Sequence, residues 1–243
     1  MTARRCHAPS AFAWMLLVFG ITAFVALGLW QLDRAQQKEQ LLAAYAAGAN
    51  GPAIEFARVR DTLDAQHYPH VRVRGHFLTD RGYLRDEQLH EGKLGVHAIA
   101  VFAVSGEDRL LLVDRGWIAW DHAPSTLPTV PALADGEAEL TGIYAPFPSS
   151  GLRVGGDALK TQTAWPKLTL RIDPAEISAD LGKPLLPRML LQDADANSGF
   201  VREWTPNVMP PVRHRAYALQ WFTFALVALV VFVAVHWRAV ERK

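Results

Sequence analysis

Two apolar runs, one near each end of the chain, frame a middle in which the hydrophobic period is two. Ala11 to Trp30 carries no charge, and neither does Ala216 to Val235. Twenty residues of helix at ~1.5 Å each span the ~30 Å hydrocarbon layer of a bilayer, so both runs predict transmembrane helices. The first follows Arg4 and Arg5 and contains the small-x-small sequence Ala26-Leu27-Gly28, which makes a cleaved signal peptide the alternative. Its length, beyond the usual signal core of ~7 to 15 residues, and its end at Trp30 favour a retained helix.

Between the runs the pattern changes twice. Gln31 to Tyr45 lacks Gly and Pro and is rich in helix formers, so the first helix extends past the lipid and stops near Gly48 to Pro52. Ile54 to Gln66 is weakly amphipathic and reads as a short helix or loop. From His70, Val71, Val73, Phe77 and Leu78 alternate with polar residues, and Gly75 interrupts as a bulge would. Further strands are predicted over 83–89, 96–104, 109–120, 137–144, 167–172, 188–192 and 200–204. Turn-like connections such as Thr79-Asp80-Arg81-Gly82 imply antiparallel pairing. The stretch 123–134, with three prolines, is an extended connector, and 145–156 a loop. Asp173-Pro174-Ala175-Glu176 opens a short helix that Gly182 closes.

The resulting fold class is an α+β membrane protein, with two transmembrane helices flanking an exported antiparallel β-rich domain of seven or eight strands. Its limits are a tail over 1–10, a helix over 11–31, the exported domain over 32–213, a helix over 216–237 and a tail over 238–243. The tails hold Arg4, Arg5, Arg238, Arg242 and Lys243 against Glu241, which by the positive-inside rule puts both termini in the cytoplasm or its organellar equivalent. The expected location is the bacterial inner membrane with the main domain periplasmic.

Charge and cysteine use narrow the chemistry. A net charge of +1 gives no reason to expect a nucleic-acid partner. The single cysteine, Cys6, leaves the folded part without a disulfide, a thiolate metal site or a copper-chaperone cysteine pair. His67, His70, His76, His90, His97 and His122 crowd the early strands without zinc or copper spacing. Ser149-Ser150-Gly151 is no hydrolase elbow, and nothing in the chain suggests a reaction. His214, Tyr217 and Trp221, at helical spacing, set an imidazole above two aromatics where the second helix leaves the lipid.

Four stretches together resemble the surfeit locus protein 1 family of cytochrome c oxidase assembly proteins. They are Gly28-Leu29-Trp30-Gln31-Leu32-Asp33-Arg34; Tyr68-Pro69-His70-Val71-Arg72-Val73-Arg74-Gly75-His76-Phe77; Val113-Asp114-Arg115-Gly116-Trp117; and Arg213-His214 with Tyr217-Ala218-Leu219-Gln220-Trp221-Phe222. The chain departs from the family's pattern at Pro69, at Ala100-Val101 and at Arg215-Ala216. The resemblance implies a non-enzymatic role in handling haem a during maturation of oxidase subunit I, alongside haem a synthase and within the lipid bilayer. It makes His214 the axial ligand of the haem iron, a role that neutral imidazole suits. Trp30, Tyr217 and Trp221 would then wall the haem, or else serve as aromatic-belt anchors. Arg213 or Arg215 would lie near a propionate. Arg115 is either a propionate partner or part of a structural strand end, with Gly116 for a bulge and Trp117 for the core. The alternative function is a scaffold that holds oxidase subunits without touching haem.

Overall fold

The computed structural model describes residues 9–64, 66–121, 126–148, 159–206 and 208–236. The basic tail residues, Cys6, His122 and Ser149-Ser150-Gly151 lie outside the described residues. The chain forms two compact units. One holds the N-terminal residues to Ala43 with those from Pro206 onward, and the other spans 44–205.

Among the described residues of the second unit seven strands form one sheet: β1 (Ile54–Glu55), β2 (His70–His90), β3 (Lys93–Val104), β4 (Leu110–Ala119), β5 (Glu137–Ala145), β6 (Lys167–Thr169) and β7 (Met189–Gln192). The order β2-β3-β4-β7-β5 closes on itself because β5 also pairs with β2, Val73 facing Leu140. Alternation then turns one set of side chains inward. Val71, Val73, Ala100, Phe102, Leu111, Val113, Leu140, Tyr144 and Leu190 form the central cluster. The opposite faces of Tyr83, Ile99, Val101, Leu112 and Met189 pack with Ile172 and with Ile177 of helix α2 (Pro174–Leu181). That helix begins where the sequence predicts. The Asp173 carboxylate accepts the backbone N–H of Ala175 and Glu176, and Gly182 closes the helix at φ 65°.

The sheet is mixed, which corrects the antiparallel expectation. β1 with β2, β2 with β6, and β4 with β7 run parallel. Hairpin turns report only on strands adjacent in sequence, and those hairpins, β2-β3 and β3-β4, are antiparallel. The parallel partners are brought together by longer connections that carry no local turn signal. Phe200 to Trp204 forms no strand; Val201 makes a single bridge to Trp117. The two segments expected over 70–78 and 83–89 are one strand, because a bulge absorbs the turn-like residues. Phe77 faces Phe102 and Gly82 faces Ala100, so Leu78 to Arg81 stand opposite Val101 alone. Gly75, where a bulge is expected, is paired in register with Val104 and Ala138. The patch after Pro52 is β1 followed by a 3-10 turn at Phe56–Arg58.

The first unit consists of most of helix α1 (Ala11–Ala49) with helix α3 (Pro211–His236). Both are long and apolar enough to cross a membrane, and most of their large apolar side chains, among them Phe12, Phe19, Leu29, Leu219, Leu226 and Val230, are exposed. A soluble core helix would bury that surface instead. α1 continues as a polar helix to Ala49, and α3 starts at Pro211, whose fixed φ suits a first turn.

Candidate functional site

The two long helices meet through aromatic rings and small residues. Phe24 stacks on Trp221 with ring centres 5.9 Å apart and meets Phe224 edge-on at 5.8 Å, and farther along Trp14 lies 4.8 Å from Phe232. The buried positions of α3 are His214, Ala218 and Ala225, a stripe at near-helical spacing that allows close approach. Gly28 completes it on α1, since a β-carbon there would overlap the Phe222 ring.

At one end of this stripe sits His214, 8% exposed. A histidine at a helix end is ordinarily solvated, but this one is covered by the helix pair. Its Nδ1 lies 2.7 Å from Oε1 of Gln31. A neutral imidazole that donates Nδ1–H to this amide oxygen carries its lone pair on Nε2. Nε2 is buried and has no hydrogen-bond partner among the described residues. A nitrogen with an unshared pair, its tautomer set by a partner on the other side of the ring, is what a metal-ligating histidine requires.

The remaining predicted residues fall around it unevenly. Trp221 is half-buried against Phe24, whereas Tyr217 is 46% and Trp30 54% exposed, so the helical spacing that groups His214 with Tyr217 does not bring both into the interface. Arg215 forms an ion pair with Glu39 of α1. Arg213 is exposed and forms no ion pair among the described residues. Gln31 and Glu39 are the residues that sequence reasoning passed over. The signal for Gln31 is its place as the first polar side chain after the charge-free run.

Arg115 belongs to the β unit. Its guanidinium donates to the carbonyls of Pro131 (2.7 Å) and Ala132 (3.1 Å) and lies 4.7 Å from the centre of the Phe200 ring. Burial, with Arg202 as a nearby like charge, pulls its pKa down to about 10. It pins residues 130–133, which with Thr79 and Trp165 line a cavity of about 340 Å³. The neighbouring motif residues are structural. The register slips so that Arg115 and Gly116 oppose Ala98, Gly116 takes φ 122°, and buried Trp117 donates its indole N–H to the Gln88 carbonyl at 2.9 Å. Buried Asp114 accepts from His97 Nδ1 at 3.0 Å and from the Gly116 backbone N–H at 3.1 Å. Of the early-strand histidines, His70 is held between the Gly51 carbonyl and Asp193, and His90 packs on Trp117. Among the described residues no three His, Cys, Asp or Glu side chains cluster to hold a metal ion.

A family model described as "SURF1 family" matches residues 18–226. Among curated proteins, a "SURF1-like protein" of Rickettsia felis is 27% identical over 225 residues, covering 90% of this chain and 94% of the relative. The corresponding protein of Rickettsia bellii is 29% identical, covering 90% and 88%. "Surfeit locus protein 1" of Xenopus tropicalis is 29% identical over 146 residues, 54% of this chain and 47% of that one.

Proposed function

This chain belongs to the SURF1 family, known generally as cytochrome oxidase assembly factors, and on that premise we propose that it holds haem a for delivery to oxidase subunit I, with His214 Nε2 as the atom that would ligate the iron. The observation that carries the reading is the buried, unpartnered Nε2, whose lone pair stays free in the tautomer that donates Nδ1–H to the Gln31 amide oxygen. When bound, haem a supplies the iron that a neutral imidazole nitrogen ligates. The chain's own contributions are orientation and exclusion of water. Gln31 fixes the ring, and the Phe24-Trp221 stack with Ala218 keeps that side of the helix pair apolar. Exposed Trp30 and Tyr217 offer aromatic faces for a macrocycle at the lipid boundary. Arg213, unlike Arg215, has no carboxylate partner among the described residues and is the cation available to a propionate.

The proposal places both helices across a bacterial inner membrane, with both termini cytoplasmic and the β unit periplasmic, near subunit I and haem a synthase. The basic tails and the bacterial relatives support that placement. Reporter fusions at Ser149 and at the C-terminus are expected to report opposite sides; a shared side overturns the topology. The ligand role is tested by the absorption spectrum of protein purified from a host that makes haem a. A bound-haem spectrum lost in His214→Ala supports it. An unchanged spectrum in that variant, or oxidase subunits co-purifying without haem, puts the scaffold reading first.

A further inference from the structure

Arg188 stands immediately before β7 in the β unit and is 2% exposed. None of its three guanidinium nitrogens has a hydrogen-bond partner among the described residues. Its guanidinium carbon lies 5.5 Å from the centre of the Tyr144 ring and 5.8 Å from that of Tyr68. The Tyr45 hydroxyl is likewise buried without a partner, and the Tyr45 ring meets Tyr68 edge-on at 5.3 Å. The Arg188 guanidinium and the Tyr45 ring thus both lie against one ring, Tyr68, which is only half-buried. The acid whose charge acts on Arg188 is Asp64, but it is exposed, accepts the Gln66 backbone N–H, and forms no ion pair with Arg188.

A guanidinium brings five N–H donors and a permanent charge, and taking these out of water without an acceptor is strongly unfavourable. Two aromatic faces offset part of that cost and satisfy none of the donors. Burial accordingly pushes the Arg188 pKa below its ordinary value. The Tyr144 hydroxyl is already donated to the Arg60 carbonyl.

We propose that Arg188 is a receiving site for the carboxylate of a small organic acid, with half-buried Tyr68 as the side chain that moves aside to admit it. A carboxylate presents two coplanar oxygens to the guanidinium fork. Its single negative charge balances the single buried cation, whereas a phosphate dianion would leave an excess charge in the interior. Ile143, Ala145, Leu191 and Trp204, packed with Tyr45 and Tyr68, give an apolar lining to the alkyl part of the acid. The site is independent of His214 and of haem.

Thermal unfolding of the full chain in detergent, in sodium acetate against sodium chloride at equal ionic strength, tests the site. Acetate at about ten times its dissociation constant is expected to raise the midpoint by about 3 °C over chloride. Acetamide, of the same shape and without charge, is expected to give no rise. Arg188→Met is expected to abolish the acetate increment, and Arg188→Lys, which keeps the charge and loses the fork, to reduce it. Equal midpoints in acetate and chloride, an equal rise with acetamide, or an increment that survives in Arg188→Met overturns the proposal. The acetate and acetamide comparison uses the wild-type protein alone, so a variant that does not fold leaves the test intact.

Discussion

Nδ1 of His214 and Oε1 of Gln31 stand 2.7 Å apart, joining two helices through residues 183 positions apart in sequence. The pair fixes which ring nitrogen is left over, so the two side chains should act as a unit. Gln31→Leu is expected to keep the helices together but to weaken haem binding about 10-fold to 100-fold, as loss of an orienting partner does at metal sites. His214→Ala is expected to abolish the haem spectrum, while His236→Ala, whose ring meets the carbonyl and the ring of Phe232, leaves it unchanged. Titration of the three variants with haem a checks this; equal affinity in Gln31→Leu and wild type would remove Gln31 from the site.

Burial of His214 also alters what its loss does to folding. A solvated helix-end histidine could be removed without consequence. This one leaves a gap between helices and frees the Gln31 amide, so His214→Ala should cost about 1–3 kcal/mol in the helix pair. Spectra of that variant are therefore compared at matched folded fraction, with Gln31→Leu as the companion.

Gly28 and Phe222 set how closely the helices approach. Because a β-carbon on Gly28 would enter the Phe222 ring, Gly28→Val is expected to destabilise helix association by about 1–3 kcal/mol. Phe222→Ala in the same chain should restore part of it. Cysteine cross-linking between α1 and α3 measures both, and an equally low yield in the double variant would show that the ring is not the obstacle.

Much of the β unit was legible because its signals are local. Asp173 and Gly182 mark the ends of α2, and Arg115-Gly116-Trp117 announces a bulge with a buried indole. Pairings between distant strands left no such trace. Nothing near Met189 says that β7 will lie parallel to β4, because that choice is made by packing of Leu190 and Met189 on opposite faces. Around His214 the residue type and position were readable, but its partner was not. Helical periodicity places Tyr217 and Trp221 with the histidine, yet which of them turns inward depends on where Gly28 and Phe24 stand on the other helix. Arg188 read only as the first residue of a strand; its missing partners are a property of the folded neighbourhood.

Asp114 ties β4 to β3, holding His97 of β3 and the Gly116 N–H at the β4 bulge. Asp114→Ala leaves a buried N–H and an imidazole without their acceptor, for an expected loss of about 2–4 kcal/mol. Asp114→Asn keeps one acceptor and should lose less. Urea midpoints rank the two, and equal losses would mean that charge rather than hydrogen bonding is what Asp114 provides.

Acid sensitivity of the β unit should be traceable to the turn between β3 and β4. Arg109 donates to both Glu107 carboxylate oxygens at 2.8 Å and reaches Asp61 at 2.8 Å, while Arg60 lies 3.6 Å from Glu107. The Arg109 side-chain hydrogen bonds, helped by its backbone N–H and by the charges of Arg109 and Arg60, hold the Glu107 carboxyl at about 2 against an unfolded value near ~4.3. A carboxyl depressed in the folded state binds its proton more readily when unfolded. Its contribution is thus fully present above about pH 4.5 and is lost as pH falls toward 2. The cluster is reached by solvent, so the contribution stays below ~1 kcal/mol and shrinks with salt. Glu107→Gln should therefore be slightly less stable than wild type at pH 7, with the gap closing between pH 4.5 and 2. Urea midpoints of the two chains in detergent at pH 7, 5, 4, 3 and 2.5 measure it, and a gap that stays constant across that series would exclude the Glu107-Arg109 pair as its source.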